Sequence, residues 1–572
     1  FLFHWYTAWN DNRFSDFLEL FTNGDHSRFS YKVRQSSNEF FDALVKYVPD
    51  TIPDAVPLLS DLITNQPWFF RSWRLDPTVQ SVLCMLDAIH LRFAGSSNLY
   101  DRLIDENRPS ITFQLLDLEN FGLSDDLYIK MNARGVPLTP FETFKARYEQ
   151  ELEGQFGGLT RKIGEHNFPI REFVARRMDT NWFDLFWAEN RKAASFVDES
   201  MFNVFRLLAL VTRDPENEDC LKYVTMLTRE SPNYSAFHDN GWLDEEFSRT
   251  LIAVLEQWAS GTDGLRTLLP NSDYFDERNV FTKLTNSSTS LAVSEILLFM
   301  AYVDFIREHE ESLDPDKLNQ WLRVVHNLII NSNIDRVERL PMGMSVIRAL
   351  LPSANEILQN LQAGNLPSTF PPNVKNQADE EILKAKLLLG DDGWRRLIDR
   401  AELHGYFRGQ IEFLMDFSGI LSESKTSAVE TWNAETHRTM QSAFEKVLKK
   451  AEGMFDQKGL IETNEHLWER ALITVGDYLL ESGGRNKSLL VNAATDQASW
   501  KRLLRGFTLT ERTSREHLRN LWAKLDDAQP FSPQLKKIIS SGGLDVDKWR
   551  AAFAKTPVLW NYGVSRMVRF AD

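Results

Sequence analysis

Asn132, Arg134 and Gly135, with Glu142 and Lys145 a short distance on, form the first grouping in this sequence with residue types suited to gripping an anion. A glycine after an arginine at a helix-to-loop turn can take positive φ, the usual way to end a helix. Arg134 can then aim a planar fork of N–H donors at a phosphate or a carboxylate. Glu142 and Lys145 stand three apart, on one face of a helix expected to start near Pro140. A plainer reading is a structural clamp, with Arg134 paired to Glu142 or another acid and Asn132 capping a turn.

Two further groupings suit phosphate. Arg34, Ser36 and Ser37 precede an apolar-periodic stretch, and a helix N-terminus offers unpaired amides to an anion; simple N-capping explains the serines equally. The densest basic run is Lys501, Arg502 and Arg505 beside Trp500, with Arg512, Arg515 and Arg519 after it. Arg485 and Lys487 add two charges next to Gly483-Gly484. Cations among aromatics suit backbone tracking with base stacking, so these positions are the DNA-contact candidates. The alternative is a solvated helix face balanced by Glu511, Glu516 and other nearby acids.

Other chemistries lack their signatures. Cys84 and Cys220 are the 2 cysteines, too few for a disulfide framework or a cysteine-rich zinc site, which suits a reducing compartment and a cytoplasmic location. Of 11 histidines, His166 begins a His-x-x-Pro stretch ending at Pro169, read as a loop before a helix-starting proline. His404 lies near Glu402 with no second ligand at metal spacing, and no metal is assigned. No Gly-x-Ser-x-Gly elbow or phosphate-binding Gly-x-x-x-x-Gly-Lys-Ser/Thr loop occurs. Acid pairs such as Asp125/Asp126, Glu380/Glu381 and Asp391/Asp392 read as helix starts or loops.

These residues need a scaffold, and the pattern calls for helices. With 572 residues the chain exceeds one core; 43% hydrophobic and 26% charged residues are ordinary for a globular protein, and 39 Phe and 16 Trp can fill helix interfaces. A net charge of -16 excludes a uniformly basic nucleic-acid coat but leaves room for a local groove. No apolar run reaches membrane-spanning length. Helical periodicity is expected over Glu199–Thr212, Leu243–Trp258, Thr289–Glu310, Pro315–Ile330, Glu380–Leu389 and Gly405–Phe417, with prolines between them. A short extended piece is expected at Phe29–Val33 and a strand at Ile111–Leu118. The expected fold class is mainly α, multi-helical domains with a few short strands, divided at 1–150, 151–375, 376–465 and 466–572. The opening Phe1-Leu2-Phe3-His4-Trp5-Tyr6 reads as the middle of an apolar helix without an N-cap. It should be covered by something, and a preceding domain is the expected cover.

The segment Asp126–Ala146, running Asp-Leu-Tyr-Ile-Lys-Met-Asn-Ala-Arg-Gly-Val-Pro-Leu-Thr-Pro-Phe-Glu-Thr-Phe-Lys-Ala, resembles a signature of the GmrSD-type bacterial restriction and anti-phage family. Phe1–Ala8, the block Tyr31-x-x-Arg34-x-Ser36-Ser37-x-x-Phe40, and Asp179-x-x-Trp182-Phe183-Asp184-Leu185-Phe186-Trp187 resemble the same family. The likeness covers roughly residues 1–210. It implies a helical domain following a ParB/sulfiredoxin-like nuclease domain, with Mg2+ and a nucleoside triphosphate as cofactors of the complete protein. It also implies DNA as partner, and that missing domain or a companion subunit as the other. The family's Asp-Gly-Gln-Gln-Arg motif does not occur here, so no catalytic residue and no cofactor is assigned in this chain. The expected role is a helical body that senses or positions DNA; the competing expectation is a non-catalytic protein-interaction scaffold.

Overall fold

The computed structural model describes all residues except 31–33, 51–56, 113–139, 157, 191–196, 230–232, 262–263, 286–290, 462–464, 482, 484–485, 491–499, 542–546, 562–566 and 570–572, and the side chains of 140, 189, 190 and 229. The chain is mainly α-helical with a few short antiparallel strands. It forms two compact units. One comprises Phe1–Pro270 with Asp276–Leu313; the other comprises Asn271–Phe275 with Asp314–Asp572.

The first unit begins with the helix Leu2–Asn10, whose Trp5, Tyr6, Thr7, Ala8 and Trp9 are all buried. Their cover comes from this same chain. Phe14 and Phe17, Phe40 and Leu44, and Val79 and Leu86 close around them from three neighbouring helices. Phe1 stacks on Phe29 with ring centroids 5.0 Å apart. The Trp5 indole N–H, the one polar atom of that ring, donates to the Leu44 carbonyl at 3.0 Å. For Trp5 to Trp9 the cover that the sequence led us to expect from a preceding domain is thus supplied by this chain's own helices.

Asp76 organises the next layer. It caps the helix Pro77–Phe93 by accepting from Thr78 N at 2.7 Å, with Pro77 at the first helical position where its missing N–H costs nothing. That helix's apolar positions Val79, Val82, Leu83 and Leu86, at helical spacing, are buried. Helix Pro140–Gln155 begins at the expected proline and buries Phe144, Tyr148 and Leu152; Tyr148 donates to Ser248 at 2.9 Å. Helices Val197–Val211, Glu245–Ala259 and Val293–Glu308 contribute further buried apolar faces to this unit.

Two hairpins depart from the sequence reading. Thr22–Asn23 pairs with His26–Ser27 around Gly24. Thr160–Ile163 pairs with His166–Pro169, in a region read as almost entirely helical. Gly164 has φ +59, and a glycine at positive φ in a two-residue connection matches the strands' own twist. His166 is consequently an exposed strand residue. The strand expected at Ile111–Leu118 lies outside the described residues beyond Thr112, as do Tyr31–Val33.

In the second unit, helices Pro315–Asn331, Pro372–Gly390, Gly393–Glu402 and Ala434–Met454 pack together. Towards the C-terminus come Leu467–Val475, Trp500–Arg505, Leu509–Ala523, Phe531–Ser541 and Lys548–Lys555, and a three-stranded antiparallel sheet, Leu480–Glu481, Asn486–Ser488 and Met567–Arg569. The helix expected over Gly405–Phe417 is shorter, spanning Glu412–Phe417. Arg408 at φ 48 and Gly409 at φ 83 break it, and a Cβ on Gly409 would collide with the Asn327 side chain.

Replacing Trp5 by Ala should cost about 3–5 kcal/mol, the range for truncating a buried large aromatic, read as a lowered urea midpoint. Gly409→Ala should also destabilise, by about 1–3 kcal/mol from backbone strain, with the steric clash adding to it. Wild-type thermal unfolding of either variant would refute the packing described.

Candidate functional site

The sequence-derived residues fall into two places, one in each unit. In the first, Arg34 precedes the helix Gln35–Lys46 and reaches Asp76 at 3.6 Å and Glu142 at 3.9 Å. Its Nη1 also donates to the Thr78 hydroxyl at 3.3 Å. Lys145, one turn beyond Glu142, is paired with Asp179. Arg176, on the same helix as Asp179, is paired with Glu39 and lies 4.0 Å from the centroid of the Phe168 ring. Ion pairs thus stitch together helices that carry separate sequence blocks. Glu142 and Lys145 act here in a clamp, in which Arg34 is a cation partner of Glu142. Asn132, Arg134 and Gly135 lie outside the described residues.

Ser36 and Ser37 are buried, and both donate to Asp76 Oδ2, at 2.6 and 2.8 Å. They neither cap the helix nor present hydroxyls to an outside phosphate, so phosphate contact through these serines is corrected to an internal bond. Asp76 receives these donors because it sits at a helix start with only part of its acceptor capacity used by the cap. Beside this seam a cleft of about 520 Å³ is lined by Glu149, Glu153, Arg171 and Asp179. Burial raises the Glu149 carboxyl. Asp184 was quoted in the sequence only as part of a block. Its Oδ1 is buried without a hydrogen bond, and burial pushes the carboxyl up to about 6.

In the second unit the basic candidates are largely engaged with the protein itself. Arg502 pairs with Glu511 at 3.0 Å, as the balanced-face reading supposed. Arg505 donates to Gln410 Oε1 at 2.9 Å, and Arg512 Nε to the Gly506 carbonyl at 3.0 Å. Arg515 is 7% exposed and binds Glu412 and Asp416, each at 2.7 Å. Arg519 also pairs with Asp416, and Lys487 with Asp477. Lys501 stands 5.7 Å from the centroid of the Tyr406 ring. Arg485 lies outside the described residues. Acids about a hundred residues away in sequence thus neutralise part of the basic run.

The most concentrated electrostatics in this unit was passed over in the sequence, where Glu380 and Glu381 read as a helix start. They lie inside the helix Pro372–Gly390, and with Lys384, Arg323 and Glu402 they form a buried charge network. Lys384 Nζ contacts Glu380 at 2.7 Å, Glu381 and Glu402 at 2.8 Å each, and the Gly409 carbonyl at 2.6 Å. Arg323 Nη1 meets Glu402 at 2.8 Å and Glu381 at 3.2 Å. Asn327 Nδ2 donates to Glu381 and Glu402, at 3.0 and 2.9 Å, and the Tyr274 hydroxyl donates to Glu402 at 3.2 Å. Burial alone would raise Glu402, but Arg323 and Lys384 outweigh it and hold the carboxyl at about 2. Glu380 fares differently. Burial, reinforced by Glu381, outweighs Lys384 and pushes it up to about 7. One signal for this network was legible: Gln377, Glu381 and Lys384 fall at helical spacing among Val374, Ala378 and Ala385, on a face otherwise apolar.

A cleft of about 630 Å³ opens beside the network, with Glu380, Gln377 and Arg515 in its lining. Among the described residues no group of three or more His, Cys, Asp or Glu is placed to hold a metal ion. No helix among them is long and apolar enough to cross a membrane.

The class defined by these features is a two-unit helical protein with an ion-paired seam in one unit and a buried charge network in the other. Compared with known proteins, the chain matches no family model, no curated protein and no solved structure.

Two outcomes follow from the network. Lys384→Met leaves three buried carboxylates facing one arginine, so it should cost about 3–5 kcal/mol, more than loss of any exposed pair. The second concerns pH. Because folding raises the Glu380 carboxyl from 4.5 to about 7, its contribution to stability is full below pH 4.5 and is lost as pH rises through 7. The loss amounts to at most about 3 kcal/mol. Glu380→Gln should therefore flatten the fall in melting temperature between pH 5 and 8; an unchanged slope would contradict this assignment.

Proposed function

We propose that this chain is the helical body of a GmrSD-type anti-phage defence protein, and that it positions or senses DNA for a nucleotide-dependent nuclease domain. The observation that supports this best is spatial. Three separate stretches that resemble the family, those holding Arg34, Glu142 with Lys145, and Asp179, are joined by ion pairs in one unit. Stretches that share a signature for one purpose are expected to meet, and the Asn132–Gly135 turn lies in sequence only a few residues ahead of Glu142. A mainly helical body is also what the resemblance implies for the part following the nuclease domain. Its place of work is the bacterial cytoplasm, in keeping with two free cysteines, Cys84 and Cys220.

Restriction of phage growth by the complete gene product tests this reading. Arg34→Gln and Lys145→Met, each with wild-type helix content, should abolish protection and the DNA cleavage behind it. Full protection by both would defeat the proposal.

The scaffold alternative draws on one observation, the engagement of Arg502, Arg505 and Arg515 with partners inside the unit. A salt titration separates the two. If Lys501 and Arg512 touch phosphates, changing each to Ala should weaken DNA binding and lower the salt slope by about one unit per contact. Absence of DNA binding by the complete protein at ~50 mM salt would favour the scaffold.

A further inference from the structure

The buried network of the second unit does not balance its own charge. Arg323 and Lys384 face three carboxylates, Glu380, Glu381 and Glu402. Glu402 uses both oxygens, on Lys384 and Tyr274, whereas Glu381 binds Lys384 through Oε1 and has only an ion contact, 3.2 Å from Arg323, at Oε2. Glu380 is the one left over. Its Oε1 takes both Lys384 Nζ at 2.7 Å and Ile411 N at 2.8 Å, and Oε2 meets no hydrogen-bond donor among the described residues, in a residue that lines the 630 Å³ cleft.

A second, independent feature marks the same cleft. Asn331 lines it and is 8% exposed. Both protons of its amide are committed, Nδ2 donating to the Asn327 carbonyl at 3.0 Å and the Arg408 carbonyl at 2.8 Å. That fixes the amide's orientation and leaves Oδ1 buried with no donor among the described residues. An oriented, dry acceptor beside a carboxylate in excess asks for a ligand rich in N–H donors and carrying positive charge.

The remaining charges of the cleft set the other end of that ligand. Arg515 and Arg519 together face three acids, Arg515 contacting Glu412 and Asp416 and Arg519 contacting Asp416 and, at 3.2 Å, Glu516, so one of the three carboxylates is left uncompensated by them. Arg505 is bonded to Gln410. Lys425 and Arg512 are exposed and form no ion pair among the described residues, while Asp379 and Glu516 are exposed acids on the same lining. Two rim cations disfavour a polycation and can receive a carboxylate.

We propose that this cleft binds a small zwitterion, with a guanidinium head against Glu380 and Asn331 and a carboxylate toward Lys425 and Arg512. A planar guanidinium supplies several donors in a fixed fork, which suits two acceptors held by separate helices better than a point ammonium does. Its charge completes the network, taking the place of the proton that Glu380 otherwise holds near neutral pH.

Calorimetric titration of the full chain with 4-guanidinobutanoate tests the site. Saturable binding is expected, at least about tenfold tighter than for 4-ureidobutanoate, the neutral-headed isostere. Butylguanidinium, which lacks the carboxylate, should also bind more weakly than the guanidino acid. At pH 7 binding should release about half a proton from Glu380, seen as different heats in phosphate and Tris buffers. Glu380→Gln should abolish the release and weaken binding at least about tenfold. No saturable heat up to ~10 mM, or equal affinity for the ureido acid, would overturn the proposal. Unaltered affinity in a stably folded Glu380→Gln protein would also overturn it. If that variant does not fold, the unaltered protein decides, because binding without proton release has the same adverse meaning.

Discussion

Lys384 is the residue on which the second unit turns. Its ammonium is fully buried, and an isolated charge in that position would be untenable. Carboxylates from two helices and a backbone carbonyl must therefore converge on it: Glu380 and Glu381 from its own helix, Glu402 from another, and the Gly409 carbonyl from the turn beyond. Every other placement follows from that demand. Asn327 and Arg323 approach on the helix Pro315–Asn331, and Gly409 has no side chain because Asn327 occupies the space one would need. Such a network adds little net stability over an apolar core, but it penalises any arrangement that leaves one member unmatched. Its effect is to fix how these helices meet.

The first unit uses the opposite means in its opening layer. Trp5, Tyr6, Trp9, Phe14, Phe17, Phe40 and Phe41 pack ring against ring, with the Trp5 indole N–H donating to the Leu44 carbonyl and the Tyr6 hydroxyl 3.4 Å from His90 Nδ1. Ion pairs enter further along, where Arg34, Lys145 and Arg176 join helices that apolar packing alone would leave free to slide. This unit's candidate seam is thus a positioning device on a rigid aromatic base. In the second unit, the cleft borders a core that is itself charged, and titration of one carboxyl can be felt by the fold.

Much of the architecture was legible in the sequence because helices announce themselves locally. Pro77 after Asp76, Pro315 after Asp314 and Pro140 ahead of Glu142 mark helix starts through chemistry within a single turn. The hairpins were less legible. Thr160–Ile163 and His166–Pro169 are four residues each, too short for a periodicity to stand out, and Gly164 alone signalled the turn. The turn at Arg408-Gly409, inside a stretch expected to be helical, was missed for a related reason. Its left-handed backbone is imposed by Asn327 and Lys384, some eighty and twenty-five residues away.

By itself the sequence determined the fold class, the main helices and the residue types able to carry charge, since each is set by neighbours within a few positions. Which of those charges are available was decided by tertiary structure alone. Arg515 resembles a DNA-contact residue until Glu412 and Asp416 fold against it, and Ser36 and Ser37 resemble a phosphate cradle until Asp76 accepts their protons. Glu380, conversely, resembles an ordinary helix-start acid until burial leaves it the unmatched carboxylate of its network. The physical reason is that a pairing energy depends on distance and dielectric, and both are properties of the folded chain that no local pattern encodes.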